Sequence, residues 1–493
     1  MHLAALREEV ETKTAAALAP HGGALVRLLT CGSVDDGKST LIGRLLWDAA
    51  GVTEDQRAAV TLASHNRAVN GERIDFSLLL DGLQAEREQG ITIDIAWRYF
   101  ETPDRRFIII DSPGHEQYTR NMATGASHAD VAILLVDARH GAKRQTRRHA
   151  AICDLVGIKK VVLAVNKMDA VGWSEARYRE IEADFRAMAR SFNFPKVTII
   201  PVAALTGDNV AYRSTTMPWY AGPTLLDYLE AVDPEAAPAD TPFRMPVQLV
   251  LRAAGDFRGY AGTVTSGWIG VCERIVDARS GLGATLRRIA TMDGDRSSAT
   301  KGDAVTLVLD TDLDISRGAV LSEVPRRPTN ADVIEARLVW LSETPFDPEA
   351  GYLLRTATDL TPVTSMSVSA LVDFETLASQ PAHACGVNDI ADCRILLGRP
   401  AAIDLFRDLP LTGSFVLVSA IDGATVAGGV ISWAQAGAPA VGDNVLVLDR
   451  ALLARGICSD LGDSPADLAE FNRRAQEVAV LLRSVGVPVL IEI

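Results

Sequence analysis

Gly32-Ser33-Val34-Asp35-Asp36-Gly37-Lys38-Ser39-Thr40 fits G-x-x-x-x-G-K-[ST], directly after the apolar run Val26 to Cys31 and before the helical run Leu41 to Trp47. Strand, glycine-rich loop and helix in that order leave few folds open. The loop's backbone N–H groups, with a helix N-terminus behind them, converge on an anion such as a nucleotide phosphate. Lys38 is placed to neutralise the outer phosphates, and the Ser39 hydroxyl to ligate Mg²⁺. Asp35 and Asp36 are unusual company for phosphate, so their side chains are expected to point away from it.

The surrounding pattern agrees with a nucleotide-binding α/β sheet. Apolar runs at Phe107 to Asp111, Val131 to Asp137, Lys160 to Asn166 and Val197 to Pro201 alternate with charged helical stretches as far as Glu230. Short buried strands alternating with helices indicate a mostly parallel sheet, with ligands at the strands' carboxyl ends. The proline- and alanine-rich stretch Asp233 to Pro242 reads as a linker. Beyond it, alternating strands with glycine-containing turns such as Gly259 to Gly267 predict a small β-barrel. A break at Val324 to Thr329 opens a second strand-rich block, Ala331 to about Trp433, and a second barrel is expected there. From Leu448 the pattern returns to a helix, Ser464 to Ser484, and an apolar run, Val485 to Ile491. The expected architecture is an α/β P-loop nucleotide-binding domain with a mostly parallel sheet, followed by two small β-barrel domains and a short α/β tail. Its boundaries are an N-terminal helix over 1–24, the nucleotide domain over 25–235, barrels over 236–326 and 327–435, and the tail over 436–493. A length of 493 residues, at ~150 per domain, is consistent with about three main domains.

Two further motifs follow strands of the first domain. Asp111-Ser112-Pro113-Gly114-His115 ends the second strong apolar run. An aspartate there can hold Mg²⁺ through water, and the Gly114 N–H can sense the γ-phosphate. His115, next to that glycine, is a candidate for orienting the attacking water. Asn166-Lys167-Met168-Asp169 selects the base: a carboxylate at Asp169 accepts from both N1–H and the N2 amino group of guanine, whereas adenine offers a donor at neither place. An unpaired buried carboxylate disfavours ATP by roughly 10⁴. GTP is therefore the expected nucleotide. Between the phosphate loop and the Asp111 turn lies Asp81 to Asp94, where the Thr92 hydroxyl is placed to complete the magnesium shell and to swing away after hydrolysis.

Composition limits the rest. The formal charge of -14 argues against a broad basic face for nucleic acid. Six cysteines (Cys31, Cys153, Cys272, Cys385, Cys393 and Cys458) are scattered without C-x-x-C pairs, which suggests neither a zinc knuckle nor a disulfide framework and fits a reducing cytoplasm. Met1 to Leu18 carries Arg7, Glu8, Glu9, Glu11 and Lys13, so it reads as an amphipathic helix rather than a signal-peptide core. No run of about 18 uncharged apolar residues indicates a membrane span.

The loop Gly32 to Thr40, the segment Glu86 to Asp94, the turn Asp111 to His115 and Asn166 to Asp169 resemble the translation-factor class of GTPases, of which elongation factor Tu is the best known. Within that class the likeness is to the large GTPase subunit of sulfate adenylyltransferase. It is carried by Asp81 to Asp94, His115 to Ser127, Met217 to Leu226, Asp256 to Gly259, Asp314 to Gly318 and Ala424 to Ile431, and by Asp36, where translation factors usually have histidine. The resemblance implies a GTPase whose separate catalytic small subunit joins ATP and sulfate into adenosine 5′-phosphosulfate and pyrophosphate. A translation GTPase carrying aminoacyl-tRNA is the competing reading, since the same two-barrel layout would serve it. One departure is Ala203-Ala204-Leu205, where the family has Ser-Ala-Leu; the guanine O6 contact there is typically backbone, so GTP binding is expected to survive. Arg455 to Gly462, Ser464 to Asp467 and Arg473 to Ala479 resemble an internal piece of adenylylsulfate kinase. No second phosphate loop precedes that piece, so kinase activity is not expected.

Overall fold

Val26, Leu28, Leu29 and Cys31 are wholly buried, and they make the first strand the centre of a sheet covered on both faces. The computed structural model describes residues 25–49, 52–67, 74–80, 94–233, 240–252, 257–436, 446–449, 462, 464–484 and 489–492. The expected Met1 to Leu18 helix lies outside the described residues. The first domain contains strands β1 (Leu25–Gly32), β2 (Ala96–Glu101), β3 (Arg106–Asp111), β4 (Val131–Asp137), β5 (Lys160–Asn166) and β6 (Lys196–Pro201). They form one six-stranded sheet in the order β2-β3-β1-β4-β5-β6. All neighbours are parallel except β2, which runs antiparallel to β3 at the edge. The chain leaves β1 towards β3 on one side and β4 on the other, which opens the crevice where α/β sheets bind ligands.

Helices α1 (Lys38–Asp48), α2 (Glu54–Arg67), α3 (Thr119–Ala126), α4 (Arg144–Leu155), α5 (Glu175–Ala189) and α6 (Leu225–Ala231) belong to the same domain. α1 starts three residues before the expected Leu41, because Gly37 takes the left-handed conformation (φ 92°) and lets the helix begin at Lys38 itself. Side-chain caps start the later helices: Ser174 accepts from the Arg177 N–H, and Thr224 and Asp227 form a reciprocal capping box.

One core residue of α4 carries a pH signature. His149 is 1% exposed; its Nε2 lies 3.0 Å from Gln145 Nε2, and its Nδ1 has no partner among the described residues. Burial, and then the nearby Lys38 and Arg148, pull its pKa down to about 3 from 6.5. The folded imidazole stays neutral while the unfolded one takes up a proton below about 6.5, so its contribution to stability is constant above that pH and is lost as pH falls from there towards 3. At pH 5 the loss is about 2 kcal/mol. Urea unfolding of His149→Gln should therefore show a flatter dependence between pH 7 and pH 5 than the wild type. An unchanged dependence would contradict this assignment.

Two closed six-strand β-barrels follow. In the first, Arg274–Asp277, Val320–Glu323, Arg244–Arg252, Arg258–Thr263, Ala304–Leu309 and Gly283–Thr291 neighbour one another in turn, and pairing of the last with the first closes the ring. The second runs Tyr352–Arg355, Ser414–Ser419, Thr425–Gln435, Thr329–Trp340, Ile390–Ile403 and Leu360–Val372, and closes in the same way. Closure removes the sheet edges that would otherwise template aggregation. Arg244 and Asp404, both nearly buried, join the barrels by paired bonds of 3.0 Å.

The second barrel also touches the nucleotide domain. Arg120 Nη2 donates to the Leu341 carbonyl at 2.9 Å, and Asn388 Nδ2 donates to the Glu116 carbonyl at 3.0 Å. Arg147 pairs with Glu375 at 3.1 Å, and the Arg148 guanidinium lies 4.8 Å from the centre of the Phe374 ring.

Residues 436–493 form a second compact unit. Leu446–Asp449 and Val489–Glu492 pair in parallel, with helix α7 (Pro465–Ser484) between them in sequence. Leu448, Phe471, Ala475 and Ala479 make its core. Among the described residues no helix is long and apolar enough to cross a membrane.

Candidate functional site

Lys38 is 8% exposed, and its Nζ donates to the Gly32 carbonyl at 3.3 Å. Burial lowers its pKa, and the nearby Asp111 carboxylate opposes that shift. Ser39 and Thr40 continue the first turn of α1. The glycines around Lys38 are required by close approach. A Cβ on Gly37 would lie 2.5 Å from Asn166 Nδ2, one on Gly32 would lie 2.9 Å from Leu135 Cβ, and one on Gly114 would lie 2.5 Å from Lys38 Nζ and 2.7 Å from the Gly32 carbonyl oxygen. The Ser33 hydroxyl is buried without a hydrogen-bond partner among the described residues. A buried polar atom of this kind beside a lysine in a glycine-lined loop fits a phosphate-bearing ligand.

The two loop aspartates differ in their surroundings. Asp36 is 1% exposed: its Oδ2 accepts from the Ser33 N–H at 2.8 Å, and its Oδ1 from Lys143 Nζ at 3.1 Å. Burial raises its pKa, and Lys143 counters the rise. Asp35 is exposed, with φ 66°, and its carbonyl accepts from Lys167 Nζ. Val34 lies between Ser33 and these two and is half-buried.

The Asp111 turn is tied to β1. Thr30 Oγ1 donates to Asp111 Oδ1 at 3.2 Å, and Ser112 Oγ donates to the Thr30 carbonyl at 2.7 Å. Asp111, Ser112, Pro113 and Gly114 are all buried. His115 is half-buried in extended backbone (φ -78°, ψ 143°), with its ring edge-on to Tyr118 at 6.3 Å.

At the end of β5, Asn166 joins three loops. Its Nδ2 donates to the Asp36 carbonyl at 2.9 Å, and its Oδ1 accepts from the Ala204 N–H at 3.0 Å. The Ala203-Ala204-Leu205 turn is thus held by backbone groups, with Ala203 N–H donating to the Asp208 carbonyl at 3.1 Å, so no serine hydroxyl is needed for these bonds. Lys167 takes φ 61°, Met168 is buried, and half-buried Asp169 stands in the short 3₁₀ turn Met168–Val171. The structure therefore gathers Gly32, Lys38, Asp111 and Gly114 at one point and links Asn166, Asp36 and Ala204 at its flank. Thr92, and Asp81 to Ile93 around it, lie outside the described residues.

Known proteins resemble this chain in the same regions. Residues 24–237 match the model of the elongation factor Tu GTP binding domain, and residues 333–432 match that of the GTP-eEF1A C-terminal domain-like family. A sulfate adenylyltransferase subunit 1 from Colwellia psychrerythraea is 46% identical over 410 residues, 83% of this chain and 88% of that protein. One from Methylorubrum populi is 46% identical across 85% of this chain and 89% of that protein. The chain belongs to the sulfate adenylyltransferase subunit 1 family. The bifunctional enzyme NodQ of Rhizobium sp. (strain N33) is 43% identical over 514 aligned positions that include 95% of this chain and 80% of that protein. That alignment is longer than this chain, so the NodQ protein carries residues that have no counterpart here.

Two features of the site were not singled out from sequence. Asp137, at the end of β4, is held well below the usual carboxylate range: burial opposes the shift, but Arg139 and Lys167 outweigh it, with Lys167 Nζ 3.1 Å away. An aspartate closing a buried strand, as Asp111 does, was the available signal. Lys143 has no such signature, because its partner Asp36 is met only through the fold.

Proposed function

We propose that this chain hydrolyses GTP as the regulatory subunit of a sulfate adenylyltransferase, coupling hydrolysis to the formation of adenosine 5′-phosphosulfate and pyrophosphate from ATP and sulfate on a partner catalytic subunit. The observation that carries the reading is the apposition of Gly114 to Lys38 at the mouth of the glycine loop, in a chain 46% identical to subunit 1 proteins across most of its length. Lys38 neutralises the β- and γ-phosphates, and the Gly114 N–H reports whether the γ-phosphate is present. Ser39, Asp111 and Thr92 are the candidates to hold Mg²⁺, which would draw negative charge off the phosphate oxygens when bound. Asp169 reads guanine, with Asn166 and the backbone of Ala203 to Leu205 fixing its position. His115 orients the attacking water. Attack of that water on the γ-phosphorus breaks its bond to the β–γ bridging oxygen and gives GDP and phosphate.

Forming a phosphosulfate anhydride is steeply uphill, so a second nucleotide is a sensible source of drive. The Glu116 and Arg120 bonds to the second barrel begin immediately after the γ-phosphate turn, and they offer a path by which hydrolysis alters how the domains meet. The whole assembly works in a reducing cytoplasm. The tail's likeness to an internal piece of adenylylsulfate kinase raises adenylylsulfate as a ligand to test there, and isothermal titration with adenylylsulfate decides it: a stoichiometric heat supports binding and no heat removes it. The test of the main reading is pyrophosphate release by the co-expressed complex. GTP should raise it several-fold, and GTP turnover should rise when ATP and sulfate are both supplied; a proven complex indifferent to GTP would overturn the reading.

A further inference from the structure

We propose that Lys143 is a positioning residue for the bound nucleotide, acting through its ion pair with Asp36 across the glycine loop. The inference rests on the reading of that loop as the GTP site. Asp36 sits in the middle of the loop with its carboxylate 1% exposed, in a place about to receive the several negative charges of a nucleotide phosphate chain. A buried carboxylate beside a polyanion is unfavourable unless it is both hydrogen-bonded and charge-compensated. The structure supplies both. The Ser33 N–H takes Oδ2 at 2.8 Å, and Lys143, immediately before α4 and 107 residues away in sequence, takes Oδ1 at 3.1 Å. The Asp36 backbone is held as well, its carbonyl accepting from Asn166 at 2.9 Å.

Lys143 itself is 38% exposed, so in the empty loop water screens its end of the pair. With nucleotide bound the balance changes. Phosphate charge then faces the same loop, and loss of the lysine leaves a buried negative charge next to it. Lys143 should therefore matter more to nucleotide retention than to folding, a split that a purely structural ion pair would not produce. The carboxylate fixes Ser33, and the lysine makes that compatible with phosphate.

The experiment measures release of N-methylanthraniloyl-GDP and steady-state GTP hydrolysis by the full-length chain and four variants: Lys143→Met, Lys143→Arg, Asp36→Asn and Lys143→Met combined with Asp36→Asn. Lys143→Met should speed release by about tenfold or more and raise KM for GTP while kcat at saturation is retained. Lys143→Arg should stay close to wild type. The double variant should recover most of the loss, because the charge that needed compensation is gone. Release from Lys143→Met within about twofold of wild type, or no recovery in the double variant, would overturn the proposal. If Lys143→Met does not fold, the double variant decides: near-wild-type retention supports the proposal, and tenfold faster release overturns it. A wild-type chain that held no GDP would be a different result, and would remove the GTP reading and this inference together.

Discussion

Replacing Asp169 with asparagine is expected to lower affinity for GTP by roughly 10⁴-fold, because on the proposed reading guanine presents donors at N1 and N2 to the carboxylate and the new amide turns an N–H₂ towards them. Competition binding of fluorescent GDP measures the loss. The turn that carries the carboxylate is rigid: Lys167 takes φ 61°, Gly172 N–H donates to the Asp169 carbonyl at 3.2 Å, and Trp173 N–H donates to the Met168 carbonyl at 2.8 Å. These bonds fix the backbone that presents the side chain. Asp169 is only half-buried, so the variant should fold as the wild type does. Xanthosine triphosphate, with a carbonyl where guanine has its amino group, should bind the asparagine variant better than GTP does. A loss of less than about tenfold would mean that the base is read elsewhere.

Gly114→Ala is expected to lower GTP turnover by about 10²-fold while GDP is still bound. A Cβ there would meet the Lys38 ammonium at 2.5 Å and the Gly32 carbonyl oxygen at 2.7 Å. The lysine end can move, but the carbonyl belongs to the last residue of β1 and cannot, so the turn itself must shift. The N–H proposed to meet the γ-phosphate moves with it, and so does His115. GDP has no γ-phosphate and is little affected. Single-turnover hydrolysis set against GDP affinity separates the two arms, and equal losses in both would place the defect in folding rather than in catalysis.

The central strands were legible because each is an unbroken apolar run ended by a motif residue: Val131–Asp137 and Lys160–Asn166 appear with the predicted bounds. Burial on both faces writes itself into composition. β2 was missed for the opposite reason. Its Trp97 and Tyr99 are exposed, and Arg98 and Glu101 interrupt it, so an edge strand with one wet face looks like a loop. The start of α1 depended on the backbone of Gly37, which a run of apolar residues does not report. At the candidate site, the glycine loop, the Asp111 turn and the Asn166 turn were legible as turns that follow β1, β3 and β5. Neither the burial of Asp36 nor the identity of its partner could be read there. Lys143 reaches it only because β1 and β4 are neighbours in the sheet, and such a pairing leaves no local pattern.

The account stands on guanine nucleotide held at the β1, β3 and β5 ends of the sheet. Titrating the purified chain with fluorescent GDP in Mg²⁺, and then competing with GTP and ATP, tests this most directly. Saturable binding displaced by GTP but not by a thousandfold excess of ATP is the predicted result. Absence of binding by a folded sample, or equal displacement by ATP, would contradict it.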